Sequence, residues 1–233
     1  MSTKVSARLI GALFLAGFLA YGVGFSLVTS VTGTPDFLST ISANQTTLVF
    51  GAFLMFLNTG IDLGKGVLFF PILEGHGKRT ALVYLAAISV QVVLLDLGVL
   101  LILMHVPLAE LAAEASGPML EWATALGLLL TDSSTLAYNM GQAVLSFGGV
   151  FLCWLLYRAR LIPRALAALG VIGYVLHGAG SIAEFSGIPI SLFTLIPGAI
   201  FELGLAFWLL IKGFETRPKV RDRNAPAAST ETA

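Results

Sequence analysis

The chain is divided into six apolar runs, each continuous and about 20 residues long, the length a helix needs to cross the roughly 30 Å hydrocarbon core of a bilayer. They lie near residues 9–31, 48–70, 82–104, 135–157, 165–187 and 190–212. Because the runs are continuous rather than alternating, they predict helices and not the strands of a membrane barrel. Composition agrees, since 57% of the 233 residues are hydrophobic and 11% are charged, too little charge to clothe a water-soluble surface. The expected fold is all-α: a polytopic transmembrane helical bundle of six spans, forming one domain over residues 1–213. A formal net charge of zero supplies no basic field for nucleic acid. The single cysteine, Cys153, excludes an internal disulfide.

Basic residues set the orientation, because cytoplasmic flanks keep Lys and Arg while short translocated loops carry few. Lys4 and Arg8 precede the first span, Lys78 and Arg79 separate the second and third, and Arg158, Arg160 and Arg164 separate the fourth and fifth. Lys212, Arg217, Lys219, Arg221 and Arg223 close the chain, leaving Lys65 as the one basic residue elsewhere. The intervening connections hold Asp36, Glu110, Glu114, Glu121 and Asp132 instead. The pattern predicts both termini on the cytoplasmic side of a plasma membrane. Trp154, Tyr157 and Trp208 sit beside basic residues, and Trp122 lies in an outer connection, all at headgroup depth. The first run is longer than the 7 to 15 residues of a signal-peptide core and lacks a small-x-small cleavage site, so it reads as a retained span.

The one long connection, 105–134, contains a stretch from 118 to 131 that reads as a separate helix with Pro118 at its start. It is too short to span and is expected to lie at the outer interface, anchored by Trp122; a lid over an outward cavity is the alternative. The tail, 214–233, mixes charge with Pro, Ala, Ser and Thr and is expected to be disordered. Gly60 with Gly64, and Ala12 with Ala16 and Ala20, are small-xxx-small patterns that suggest close helix packing.

Function is carried by polar groups within the spans, because an ionisable side chain at mid-membrane costs about 2.5 to 3.5 kcal/mol and persists mainly where it faces a bundle interior. On the second span Asn58, Asp62 and Lys65 share one face, which places Asp62 and Lys65 within pairing reach. On the fifth, Tyr174, His177, Ser181 and Glu184 form a second stripe. The fourth contributes Asn139, Gln142 and Ser146, and the sixth Glu202, with Pro197 expected to kink the helix beside it. Gln91 and Asp96 on the third span diverge by about 140°, so at most one of the two is expected to share a common cavity. The candidate ligand or ion site is therefore Asn58, Asp62, Lys65, Asp96, Gln142, His177, Glu184 and Glu202. Asp62, Asp96 and Glu202 outnumber the fixed cation Lys65, and a carboxylate without countercharge in low dielectric is relieved by a proton, water or a bound cation. The same residues also admit a purely structural role as helix-to-helix contacts.

Neither a phosphate-binding Gly-rich loop nor HExxH is present, and Cys153 has no base on its face. A metal site joining His177 to these carboxylates is allowed by ligand type alone.

Three segments, ARLIGALFLAGFLAYG at 7–22, LLYRARLIPRALAALGVIGY at 155–174 and PGAIFELGLAFWLLIKG at 197–213, together resemble the bacterial multi-pass family called domain of unknown function 4386. The resemblance is closest across the fourth span, its Tyr157-Arg158 exit and the Ile162-Pro163-Arg164 approach to the fifth. It is looser over the second and third spans. It implies a bacterial membrane protein of six or so helices and transfers no catalytic residue and no cofactor.

The expected function is an integral membrane protein whose polar site binds a proton, a cation or a small or lipid-like ligand in transport or sensing, with the lipid bilayer as its other partner. The alternatives are a membrane-embedded, metal-dependent lipid hydrolase and a non-catalytic structural or accessory subunit.

Overall fold

The computed structural model describes residues 2–215. Every regular element among them is a helix: α1 (Thr3–Thr32), α2 (Phe37–Ala43), α3 (Gln45–Leu103), α4 (His105–Ala113), α5 (Pro118–Ala159), α6 (Arg164–Glu184) and α7 (Ser191–Ile211). Five helical stretches are long and apolar enough to cross a membrane.

The longest of them, α3, is folded in two. At Gly77 the backbone is extended, with φ 175° and ψ 81°, and the arms 45–76 and 78–103 run back along each other. Gln91 bonds to Asp62 and Gly66 abuts Ile88, pairs that a straight helix would hold roughly 44 and 33 Å apart at about 1.5 Å per residue. Counting the two arms separately, the bundle is a closed ring in chain order. Each neighbour leans on the next, and α7 returns to α1.

Glycines make these seams close, as expected where helices gain nothing from burying apolar surface against lipid and must pack backbone to backbone. A Cβ on Gly24 of α1 would lie 2.7 Å from the Gly51 carbonyl of α3, and one on Gly173 of α6 would lie 2.7 Å from the Gly198 Cα of α7. The ring closes where a Cβ on Gly11 of α1 would lie 2.7 Å from the Ala206 carbonyl of α7. The patterns expected to mark the seams do not. Gly60 has no neighbour that a Cβ would meet within 4 Å, and Ala12 and Ala16 are exposed. Spacing alone identifies a smooth face, and the partner decides whether that face is used.

Two other expectations are corrected. The stretch 118–131 is not a separate interfacial helix, because α5 continues through it into the fourth span without a break. Within the joined stretch the hydroxyls bond back along the helix: Thr131 Oγ1 donates to the Gly127 carbonyl and Thr135 Oγ1 to the Thr131 carbonyl, at 3.2 and 3.1 Å, as Ser and Thr inside helices do. Ser134 Oγ instead crosses to the Gly98 carbonyl of α3 at 3.0 Å.

The tail does not begin at 214. Gly213, at φ +76°, donates to the Trp208 carbonyl and turns the chain back as a helix-ending glycine does. Phe214 then packs edge-on against Phe69 at 6.0 Å, and the Glu215 amide donates to the Leu161 carbonyl at 2.8 Å. The expectation of disorder over the remaining tail falls on 216–233, outside the described residues.

The two ends of the ring differ. The Gly77 end carries Lys4, Arg8, Lys78, Arg79, Arg158, Arg160, Arg164 and Lys212. The opposite end is covered by α2 and α4, which pack on each other through Phe37, Leu38, Leu108 and Ala109. His105, fully buried at 0% exposure, ties this cap to the ring. Its Nδ1 faces the Leu101 and Ile102 carbonyls, and its Nε2 faces the Gly127 carbonyl and Thr131 Oγ1, all at 3.1 or 3.2 Å.

Candidate functional site

At the centre of the ring is a chamber of about 220 Å³. Each of the six arms contributes to its wall, for example through Phe14, Asp62, Gln91, Gln142, His177 and Glu202. Of the eight residues singled out from sequence, six line it: Asn58, Asp62, Lys65, Gln142, His177 and Glu202. Asp96 and Glu184 do not. The choice left open between Gln91 and Asp96 falls to Gln91, which lies on the wall. Asp96 is rotated away from the chamber, and its Oδ1 is buried with no hydrogen-bond partner among the described residues. Glu184, at the end of α6, accepts the Ser191 amide at 3.1 Å and so secures the first turn of α7 rather than reaching inward.

The two carboxylates on the wall have unlike surroundings. Asp62 Oδ1 is 2.6 Å from Lys65 Nζ, as the spacing of three on one helix face predicts. Its Oδ2 accepts from Asn58 Nδ2 and from Gln91 Nε2, each at 3.3 Å. Lys65 is in turn covered by the Phe14 ring, 4.3 Å from its centroid, within reach of a cation–π attraction. Asp62 and Lys65 are 7% and 8% exposed, so this is a buried pair with both acceptor oxygens occupied. Such pairs are held by their full set of hydrogen bonds as much as by charge.

Glu202 has no such set. Tyr174 donates its hydroxyl to Glu202 Oε1 at 2.7 Å, and no protein donor among the described residues is bonded to Oε2. Beside it, His177 Nε2 faces Gln142 Oε1 at 3.2 Å, while His177 Nδ1 is buried without a partner. Ser146 Oγ, Ser181 Oγ and Asn139 Oδ1 on the same pair of helices are also buried and unpartnered by protein. Buried polar atoms in this condition are where ordered water is normally found. The fourth- and fifth-span stripes thus meet along one seam, α5 against α6, that leads from the chamber toward the capped end.

The residues that sequence reasoning missed are aromatic. Tyr21 of α1 stacks on Tyr138 of α5, with centroids 5.7 Å apart and planes at 20°, and both line the chamber together with Phe14 and Phe18. A signal was present for Tyr21, which lies midway along the first apolar run and away from the run ends where Tyr is usual; Tyr138, close to the start of the fourth run, gave none. Among the described residues no group of three or more His, Cys, Asp or Glu side chains is placed to hold a metal ion.

A family model described as Domain of unknown function (DUF4386) matches residues 9–213, which spans the whole ring. The chain belongs to this family. Neither a curated protein nor a solved structure matches. The DUF4386 description specifies no activity, so any function for this member rests on the chamber itself.

Proposed function

We propose that this DUF4386 chain is an integral membrane protein crossing the bilayer six times, with the Gly77 end and both termini on the cytoplasmic side of a plasma membrane. Its chamber takes up and releases a proton or a small cation at Glu202, the elementary step of coupled transport or sensing. The six arms supply the crossings, and the gathering of the described Lys and Arg residues at one end supports the orientation, because cytoplasmic flanks keep basic residues.

One observation carries the functional reading: among the described residues two carboxylates share the chamber wall, and the one Lys or Arg on that wall, Lys65, is bonded to only one of them. Lys65 is spent on Asp62, whereas Glu202 meets a neutral phenol. In a low-dielectric site a carboxylate without countercharge is costly, and a proton or bound cation relieves it. Lys65 is thus an internal counter-ion and Asp62 a structural anchor, which narrows the site expected from sequence to Glu202, Tyr174, His177 and Gln142. The unpartnered polar atoms along the α5–α6 seam support a proton path between these helices to the chamber. A metal-dependent hydrolase has no supporting donor set among the described residues.

Infrared difference spectroscopy of the protein in bilayers, recorded through a pH titration, tests this. A carboxylic-acid carbonyl band that titrates in the wild type is expected to vanish in Glu202→Gln and to persist in Asp96→Asn. If the band survives Glu202→Gln unchanged, the reading fails.

A further inference from the structure

The helices that flank Glu202 part company on one side of the ring. Near the Gly77 end α1 and α7 are in tight contact, at Gly11 against Ala206 and Leu210. Farther along, α1 leaves α7 and follows α3. The atoms nearest a Cβ on Gly17 belong to Asn58, Ile61 and Lys65, and those nearest a Cβ on Gly24 belong to Gly51, Leu54 and Met55. On the other side α7 keeps to α6, with Gly198 laid against Gly173. The chamber reaches into the resulting wedge, for its wall includes Phe18 and Gly22 of α1 and Leu195 and Ala199 of α7. Phe18 is 37% exposed, and a Cβ on Gly22 would meet nothing within 4 Å. The opening therefore faces sideways, toward what the proposed topology makes lipid.

We propose that the chamber admits an amphiphilic organic cation through this gap between α1 and α7, seating its ammonium group at Glu202 and its apolar substituents against Tyr21, Tyr138 and Phe18. The assignment rests on the proposed role of Glu202 and adds the class of ligand and its route. Charge selects the sign, because among the described residues Glu202 is the only wall carboxylate whose oxygens are not already bridged to a cation and two amides. Surface chemistry selects an organic cation over a bare metal ion. Hard ions require about six or more oxygen ligands, whereas the chamber wall carries five aromatic side chains, Phe14, Phe18, Tyr21, Tyr138 and Tyr174, a kind of surface that attracts a substituted ammonium. Size sets the scale: about 220 Å³ is below the roughly 300 to 1,000 Å³ of sites for drug-sized ligands, which fits one ring or short chain with its charged head. A lateral mouth suits a molecule that partitions into the bilayer before it binds.

The test is equilibrium binding of radiolabelled benzyltrimethylammonium to the full-length protein in nanodiscs of neutral lipid. Saturable binding is expected, competed by unlabelled cation and not by neopentylbenzene, its uncharged isostere. Glu202→Gln is expected to weaken binding about tenfold or more, and Gly22→Trp, which plugs the gap without touching Glu202, to slow both association and dissociation. Equal competition by the neutral isostere in the wild-type protein, or full binding by Glu202→Gln, would overturn the proposal. If the Glu202 carboxyl titrates in the infrared experiment but the cation does not bind, the ligand class falls and the proton-binding reading stands. If the cation binds without slowing by Gly22→Trp, the lateral route falls.

Discussion

Asp62 and Glu202 are both carboxylates on the wall of one chamber, yet the protein has completed one and left the other open. Asp62 has a lysine at 2.6 Å and two amide donors at 3.3 Å; Glu202 has one phenol at 2.7 Å. Both line the inside of the helix ring, so position alone does not separate structure from function. What separates them is whether the protein supplies the whole set of partners. A complete set locks two helix arms together, here the arms of α3. An incomplete set leaves a valence for something that comes and goes.

The contrast predicts opposite phenotypes at the two sites. Lys65→Met strands the Asp62 charge and is expected to cost about 3 to 5 kcal/mol, as removal of one partner from a buried pair does; unfolding of the purified protein in detergent measures it. Combining it with Asp62→Asn should recover a large part of that loss, and no recovery would mean the pair is not the unit described. Gln91→Leu removes one arm-to-arm hydrogen bond and is expected to cost about 0.6 to 1.7 kcal/mol in the same assay. Glu202→Gln is expected to change stability by less than about 0.5 kcal/mol, the range of substitutions that break no committed contact, while abolishing the carboxyl titration. Tyr174→Phe should lie between, losing about 0.6 kcal/mol and leaving the carboxyl able to titrate. A Glu202→Gln variant as unstable as Lys65→Met would erase the distinction between the sites.

Much of this was legible in the sequence because the relevant physics is local. Apolar run length gives the helices, and spacing on a single helix gives the Asp62–Lys65 pair and the Tyr174–His177 stripe. The convergence of Asn58, Asp62, Lys65, Gln142, His177 and Glu202 follows from each helix turning its polar face inward. What stayed hidden depends on how one helix sits against another. That Gln91 and not Asp96 faces the chamber is set by the rotation of the second α3 arm, which is fixed by Gly98 of that arm against Ser134 and Ala137 and by Gly141 of α5 against Gln91 and Leu95. That Gly11, Gly24 and Gly173 form seams while Gly60 does not is likewise a property of pairs. The wedge between α1 and α7 could not be read at all, since it arises from each helix preferring its other neighbour. That 118–131 continues into the fourth apolar run as one helix was hidden because the stretch, taken by itself, is too short to span.

The difference between the two carboxylates is tested most directly by dicyclohexylcarbodiimide, an apolar reagent that enters membranes and attacks protonated carboxyls, with the modified residue mapped by peptide mass spectrometry. Applied to the native protein in bilayers at mildly acidic pH, it should label Glu202 and leave Asp62 untouched, with labelling reduced in Gly22→Trp. Labelling of Asp62 with Glu202 spared would contradict the account at its centre.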